Sequence, residues 1–213
     1  MSQPSAICPN CGAPIRFRWS SAIQTTCEYC KSILVRHDVN LTKVGQVADL
    51  PPDISPIQIG TEGRYRDTAF QVVGRIIYSH AVGAWNEWHI VFSNGSSGWL
   101  SDAQAEYAVS FISAPESPLP PPDQIYRGFE YSQQGVRLSV TTLTEASYEG
   151  VEGELPFQFW DKTTCRFADL RSIDGRFATI DYTESPPLLF LGEFVDFDAL
   201  RLVNLKEFEG WTA

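Results

Sequence analysis

Alternation of apolar and polar positions dominates the chain beyond residue 57. Phe70, Val72, Gly74, Ile76 and Tyr78 alternate with Gln71, Val73, Arg75, Ile77 and Ser79, and Trp88, Ile90 and Phe92 alternate with His89, Val91 and Ser93. A period of two sends successive side chains to opposite faces of a strand, so both stretches are expected strands. The run Ser93-Asn94-Gly95-Ser96-Ser97-Gly98 then supplies a turn into Trp99-Leu100, because Asn and Gly tolerate the positive φ angles that a hairpin requires.

The second half repeats the theme. Val136, Leu138 and Val140 share one face, Leu155, Phe157 and Phe159 read as another strand, and residues 167–170 and 177–182 flank the turn Ser172-Ile173-Asp174-Gly175-Arg176. Asp174-Gly175 corresponds in place to Asn94-Gly95, and each hairpin leads through a polar break to a further apolar strand, residues 107–112 and 188–195. These landmarks suggest a degenerate internal duplication. Helix is scarce: one turn is expected over residues 101–106 with Ser101 as its cap, and another over residues 197–200. The expected fold class is therefore mainly β, a barrel-like body of two hairpin-containing halves behind a small N-terminal module.

Proline-rich stretches mark the divisions. Asp49-Leu50-Pro51-Pro52-Asp53-Ile54-Ser55-Pro56 and Ala114-Pro115-Glu116-Ser117-Pro118-Leu119-Pro120-Pro121-Pro122-Asp123 remove N–H donors and hold the preceding residues extended, so they read as semi-rigid connectors. The second also has the composition of a proline-recognition ligand. The resulting division is a module at 1–38, a linker at 39–57, a first β half at 58–113, a connector at 114–124 and a second β half at 125–213.

The module is defined by cysteines. Cys8-Pro9-Asn10-Cys11-Gly12 and Cys27-Glu28-Tyr29-Cys30-Lys31 are two Cys-x-x-Cys knuckles, followed by the strand-like Ile15-Arg16-Phe17-Arg18-Trp19 and Ile33-Leu34-Val35. Paired thiolates at this spacing can close a tetrahedral zinc site with Zn–S bonds of about 2.3 Å, and the arrangement resembles a zinc ribbon. Gly12 and Lys31 suit positions whose backbone N–H groups turn toward the sulfurs. A thioredoxin-like redox pair and two disulfides are the competing readings, but no strand-and-helix unit surrounds either motif and no signal sequence marks an oxidising destination. Four thiolates leave zinc no open position for substrate, so the ion is expected to be structural and to replace a core that under about 40 residues cannot build. The fifth cysteine, Cys165, reads as a small buried residue.

Charge is uneven. Of a formal net charge of −10, residues 1–45 carry +3 (Arg16, Arg18, Lys31, Arg36 and Lys43 against Glu28 and Asp38), leaving −13 on the remainder. An acidic body repels phosphate backbones, which disfavours general nucleic-acid binding, although the basic ribbon alone can touch a polyanion. Arg16-Phe17-Arg18-Trp19 reads first as exposed arginines alternating with ribbon-core aromatics and second as a contact surface. No apolar run approaches the roughly 20 residues a membrane helix needs, so a soluble, cytoplasmic protein is expected.

Val73-Gly74-Arg75-Ile76, Trp85-Asn86-Glu87-Trp88-His89-Ile90-Val91-Phe92, Gly98-Trp99-Leu100-Ser101, Ala103-Gln104-Ala105-Glu106-Tyr107 and Leu191-Gly192-Glu193-Phe194-Val195 resemble a bacterial domain-of-unknown-function family, number 4178, over about residues 57 to 205. The resemblance implies a non-enzymatic bacterial protein, in a family whose members often carry an N-terminal zinc ribbon and are sometimes encoded beside polyamine-synthase-like and membrane-stress genes. It transfers no catalytic or binding residue.

Catalytic constellations are not evident. His37, His80 and His89 have no Ser or Cys at a motif spacing. Glu149, Glu152, Glu154, Glu193, Asp196 and Asp198 match no calcium loop and read as solvated strand ends. No Gly-rich phosphate loop is present. Trp88 and Trp99 read as a cross-strand pair in the core, whereas Trp85, with Arg16 and Arg18, is a candidate interaction surface. The leading expectation is a non-catalytic, zinc-containing adaptor with protein partners. A nucleic-acid-associated ribbon protein and an enzyme of another kind are the alternatives.

Overall fold

The computed structural model describes residues 5–37, 40–47, 50, 55–81, 83–161 and 163–208. Residues 51–54, the centre of the first proline-rich stretch, lie outside the described residues. The cysteine module contributes β1 (Ser5–Ile7), β2 (Pro14–Arg16), β3 (Gln24–Thr26), β4 (Ser32–His37) and β5 (Asn40–Gln46). β1 and β2 form a separate two-stranded ladder, while β3, β4 and β5 join the main sheet. The interval 39–57, expected as linker, thus contains a strand, β5, paired along β4.

The alternating stretches form β6 (Glu62–Tyr65), β7 (Thr68–His80), β8 (Gly83–Phe92), β9 (Ser97–Ala103) and β10 (Glu106–Ser113), then β11 (Glu130–Gln133), β12 (Val136–Leu155), β13 (Thr164–Arg171), β14 (Arg176–Asp181) and β15 (Leu188–Val195), with a final 3-10 turn at Asp198–Leu200. The fold is mainly β, as expected, and every strand pairing among the described residues is antiparallel. β7 to β10 form one meander and β12 to β15 another. β10 pairs with β15 and β12 with β7, which closes an eight-stranded ring with no free edge among its members.

The two meanders repeat each other in detail. Gly60 N–H donates to the Val72 carbonyl and Val72 N–H to that of Thr61, both at 2.8 Å; Gly128 N–H donates to Val140 at 2.8 Å and Val140 N–H to Phe129 at 2.9 Å. Gly60 and Gly128 share a φ of 91°, Gly95 and Gly175 have φ of 87° and 86°, and the β6–β7 and β11–β12 turns place Arg66 and Gln134 at φ of 53° and 51°. A bulge lies between Val72 and Gly74 where β7 meets β8, and its counterpart between Val140 and Thr142 where β12 meets β13. Because the closing pairs join equivalent strands, β7 to β12 and β10 to β15, the architecture is that of an internal repeat with approximate two-fold arrangement.

Both faces of the ring are occupied. Outside, the first meander is covered by Ile57 and by Leu200 and Leu202, which pack with Trp88, Ile90 and Leu100. The second is covered by Leu119, Ile125 and Phe129, which pack on Leu138, Leu170 and Ile180. The proline-rich connector is therefore a fixed cover: the Tyr131 and Tyr182 hydroxyls donate to the Ser117 and Pro120 carbonyls at 2.9 and 2.8 Å. Inside, aromatic side chains surround a cavity of about 340 Å³.

Several local expectations change. Residues 101–106 form no helical turn: β9 continues to Ala103, and Gln104 and Ala105, at φ of 53° and 66°, make a tight turn into β10. Cross-strand pairing of Ser101 with Glu87 and Asp102 with Asn86 outweighs the capping tendency of Ser101. Leu155 ends β12 instead of starting a strand with Phe157 and Phe159, because Pro156 has no N–H to continue the ladder. Trp88 and Trp99 are both buried but are not a cross-strand pair: Trp88 lies opposite Leu100, while Trp99 lies opposite His89 on the other face. The hairpin at Asn94-Gly95, the hairpin at Asp174-Gly175, the 3-10 turn and the burial of Cys165 agree with expectation.

Ring closure depends on close backbone approach. A Cβ on Gly74 would stand 2.0 Å from the Glu154 carbonyl oxygen, and one on Gly153, at φ +64°, would stand 2.2 Å from that of Val73. At Gly95 a Cβ meets nothing within 4 Å, so only its φ of +87° opposes substitution. Gly74→Ala is accordingly expected to lower unfolding free energy by more than about 3 kcal/mol, or to prevent folding, and Gly95→Ala by about 1 kcal/mol. Urea titration of both variants measures this, and equal losses would contradict the closure.

Candidate metal centre

Each knuckle is a tight turn closed by its own backbone. Gly12 N–H donates to the Cys8 carbonyl and Lys31 N–H to the Cys27 carbonyl, both at 2.9 Å, with Gly12 and Lys31 at φ of 76° and 57°. These two N–H groups therefore close the turns and do not serve the sulfurs, contrary to what the sequence led one to expect. That task falls one residue later, to the N–H of Ser32 at Cys30 and of Ala13 at Cys11, although at Cys11 desolvation and the three neighbouring thiols outweigh the Ala13 N–H and raise the group to about 12. The Ser32 hydroxyl, 3.2 Å from Cys30 Sγ, is the largest influence on that thiol and helps to hold it down at about 5. Each added donor stabilises a thiolate, the form that binds metal.

The knuckles converge. Cys8 Sγ lies 3.7 Å from Cys30 Sγ and Cys11 Sγ 3.8 Å from Cys27 Sγ, and all four sulfurs fall within 4.8 Å of one another. A tetrahedron with metal–sulfur bonds of about 2.3 Å has edges of about 3.8 Å, so the four cysteines can hold one metal ion. Cys8 and Cys27 are buried, with Ile15, Phe17, Ala22 and Leu34 forming a small core beside them. Arg16 and Arg18 alternate outward from Ile15 and Phe17, as the half-buried strand pattern predicts, and Arg18 pairs with Glu28 at 3.5 Å.

The ribbon is joined to the ring by groups the sequence did not single out. β3 pairs with the end of β12, Thr25 opposite Glu154 and Gln24 opposite Leu155. The buried Gln24 amide bonds both backbone groups of Phe159, donating to its carbonyl at 3.1 Å and accepting from its N–H at 2.8 Å. Glu154, read from sequence as a solvated strand end, is only 2% exposed, and its carboxylate accepts the backbone N–H of Arg18 at 2.6 Å and of Trp19 at 2.8 Å. Burial raises this carboxyl, while the two N–H donors oppose the rise. Trp19 meets the ring of His89 edge-on at 5.0 Å, and His89 donates from Nδ1 to the Glu154 carbonyl at 2.8 Å. Burial lowers His89 to about 4, so it is neutral near pH 7. Ile33 of β4 packs into the same core as Ile76, Val151, Leu155 and Phe159.

The other candidates are dispersed. His37 is exposed at the end of β4, and His80 lies beside Trp85 at 5.5 Å. Glu152 pairs with Arg75, and Glu193 bonds Tyr65 and Arg66. Trp85 stacks on Tyr78 at 5.0 Å on the inner wall of the ring, so it faces the cavity and not the outer surface. Among the described residues, no helix is long and apolar enough to cross a membrane. The model of a family described as Domain of unknown function (DUF4178) matches residues 58–197, which takes in β6 to β15 and leaves the ribbon outside. No curated protein matches, and no solved structure matches.

Loss of a metal ion held by the four cysteines should reach beyond the ribbon. Unfolding the knuckles releases Gln24 and Ile33, leaving both backbone groups of Phe159 without partners at a cost of about 1–3 kcal/mol each. Chelation, or Cys27→Ser, is therefore expected to raise amide exchange at Leu155 and Phe159 and to lower the unfolding midpoint of the whole chain. Unchanged exchange at those amides would contradict the joint.

Proposed function

The chain belongs to the family described as Domain of unknown function (DUF4178), and from that premise we propose that it is a non-catalytic adaptor built on one structural zinc ion. The observation that carries this reading is the joint itself. A basic ribbon of net +3 is set into an acidic body of net −13 through a shared sheet and the buried Gln24 and Glu154, so two surfaces of opposite charge are held at a fixed mutual orientation. That differs from the ribbon set apart by a semi-rigid connector that the proline-rich stretch first suggested. A rigid pair of surfaces suits bridging, because a second partner is captured without the ordering cost of a flexible tether.

Zinc is the metal of the proposal because four thiolates in a tetrahedron favour it, and a closed set of ligands gives it no open position for a substrate. Such thiolates persist in a reducing compartment, which accords with a cytoplasmic setting. On the ribbon, Tyr29 is 71% exposed and lies with Arg16, Arg18 and Lys31 along one cleft against the end of β12. These side chains suit an acidic protein partner. The cleft also carries Glu28, Glu152 and Glu154, which weakens it as a track for a phosphate backbone.

Deleting the ribbon is a poor test, since it strips Gln24 and Ile33 from the body. Charge reversal on the intact chain is cleaner: Arg16→Glu combined with Tyr29→Ala is expected to remove a subset of partners captured from native cells while one zinc per chain and the unfolding midpoint stay unchanged. If the same partners are captured, or if the folded chain turns over a substrate, the adaptor reading is wrong.

A further inference from the structure

The cavity inside the ring has a composition that a merely structural core does not need. Its volume of about 340 Å³ falls within the range of small-molecule pockets, roughly 300–1,000 Å³. Aromatic rings form its walls: Tyr78 stacks on Trp85 at 5.0 Å, Trp99 stacks on Phe157 at 5.6 Å, and Phe190 meets Trp99 edge-on at 6.4 Å. Three carboxylates, Glu87, Asp169 and Asp181, face the same space. The other charged or titratable side chains lining it are Tyr78, His80 and Arg171, and Arg171 is exposed, its guanidinium 4.5 Å over the Phe194 ring.

The carboxylates differ in what they still lack. Glu87 is fully engaged, with Trp85 Nε1 donating to one oxygen at 3.1 Å and the Ser101 hydroxyl to the other at 2.7 Å. Asp181 accepts the Thr183 N–H at 2.7 Å. Asp169 accepts the Thr179 hydroxyl on Oδ1 at 2.8 Å, and its Oδ2 takes no hydrogen bond among the described residues. Glu87 and Asp169 lie deep in the protein yet keep accessible surface, because that surface is cavity wall. Burial raises Glu87 to about 7 against its Ser101 and Trp85 hydrogen bonds, with Asp169 and Asp181 adding to the rise, and burial raises Asp169 against the Thr179 hydroxyl and the Arg171 guanidinium, which both lower it. Like charges held together out of bulk water are costly unless protons or a cation neutralise them.

We infer that the ring interior is a binding site for a protonated amine with a compact apolar body, its ammonium on Asp169 Oδ2 and its body between Trp85, Trp99 and Phe190. An ammonium supplies the N–H donor that Asp169 lacks, forms a charge-assisted hydrogen bond, and lies favourably against aromatic faces. An anion meets three carboxylates. A neutral molecule of the same shape leaves Asp169 Oδ2 without a charged donor. This assignment is independent of what the ribbon contacts.

Calorimetric titration of the full, zinc-loaded chain at pH 7 tests it, with 2-phenylethylamine and cyclohexylmethylamine as probes and 3-phenylpropanoate as the shape-matched anion. Both amines are expected to bind saturably at one per chain, and the anion is not. Asp169→Asn keeps the Thr179 contact and should weaken amine binding by about tenfold or more, in line with a hydrogen bond to a charged group. Thr144→Phe, which fills the cavity from β12, should abolish it, and decides the matter alone if Asp169→Asn fails to fold. Absence of saturable amine binding at millimolar concentration, equal binding of the anion, or full affinity in a folded variant would overturn the assignment.

Discussion

A single strand, β12, carries the architecture. Along its 20 residues it pairs with β11 and β13 at one end, with β7 in the middle and with β3 at the other, so the outer cover, the ring closure and the ribbon joint all depend on it. The constraint is steric. β7 and β12 can meet only because Gly74 presents no Cβ to the Glu154 carbonyl and Gly153 none to the Val73 carbonyl, and Gly153 further adopts a positive φ that other residues adopt at a cost. Immediately beyond that crossing, Glu154 turns into the ribbon and satisfies two of its backbone N–H groups. The glycine and the glutamate are neighbours in sequence, so closing the ring and seating the ribbon are one local event.

This coupling explains why the ribbon needs little core of its own. Its strands β3 and β4 continue the sheet of the body, and Ile33 is buried against residues of β7 and β12. A metal ion at the four cysteines would fix the knuckles, while Gln24 and Glu154 fix the ribbon's orientation. The repeated meanders have a parallel consequence for the interior. Two equivalent four-stranded sheets closing on each other leave a central space whose lining comes from both halves: Trp85, Trp99 and Glu87 from the first, Asp169, Phe177 and Phe190 from the second. Ligand recognition and ring closure therefore draw on the same set of strands.

Much of this was legible in the chain. Period-two alternation located the main strands, Asn94-Gly95 and Asp174-Gly175 located the hairpins, and the cysteine spacing located four residues that can hold a metal ion, because each is a local rule acting over a few residues. What was not legible depends on closure. Glu87, Ser101, Asp169 and Thr179 occupy the polar positions of alternating strands, and alternation alone assigns such positions to bulk water; here they face a cavity instead. Glu154, one residue from the end of β12, looked solvated because its two N–H partners lie more than a hundred residues away in sequence. Gln104-Ala105 carries no glycine or asparagine signal, so the β9–β10 turn read as helix, although the flanking pairings force both residues to positive φ. In sequence the repeat was visible only at the hairpins and the apolar strands that follow them. Its strongest marks, the paired bulges and the matching bonds at Val72 and Val140, are backbone features that the side-chain sequence does not record.

The claim on which the rest stands is that ribbon and ring move as one body. Residual dipolar couplings from amides of β1 to β4 and of β7 to β15, measured on the zinc-loaded chain in one weakly aligning medium, test it directly. A single alignment tensor should fit both sets with the ribbon in the orientation set by Gln24 and Glu154. Two tensors of different magnitude, or a markedly smaller one for the ribbon amides, would show independent motion and contradict the account.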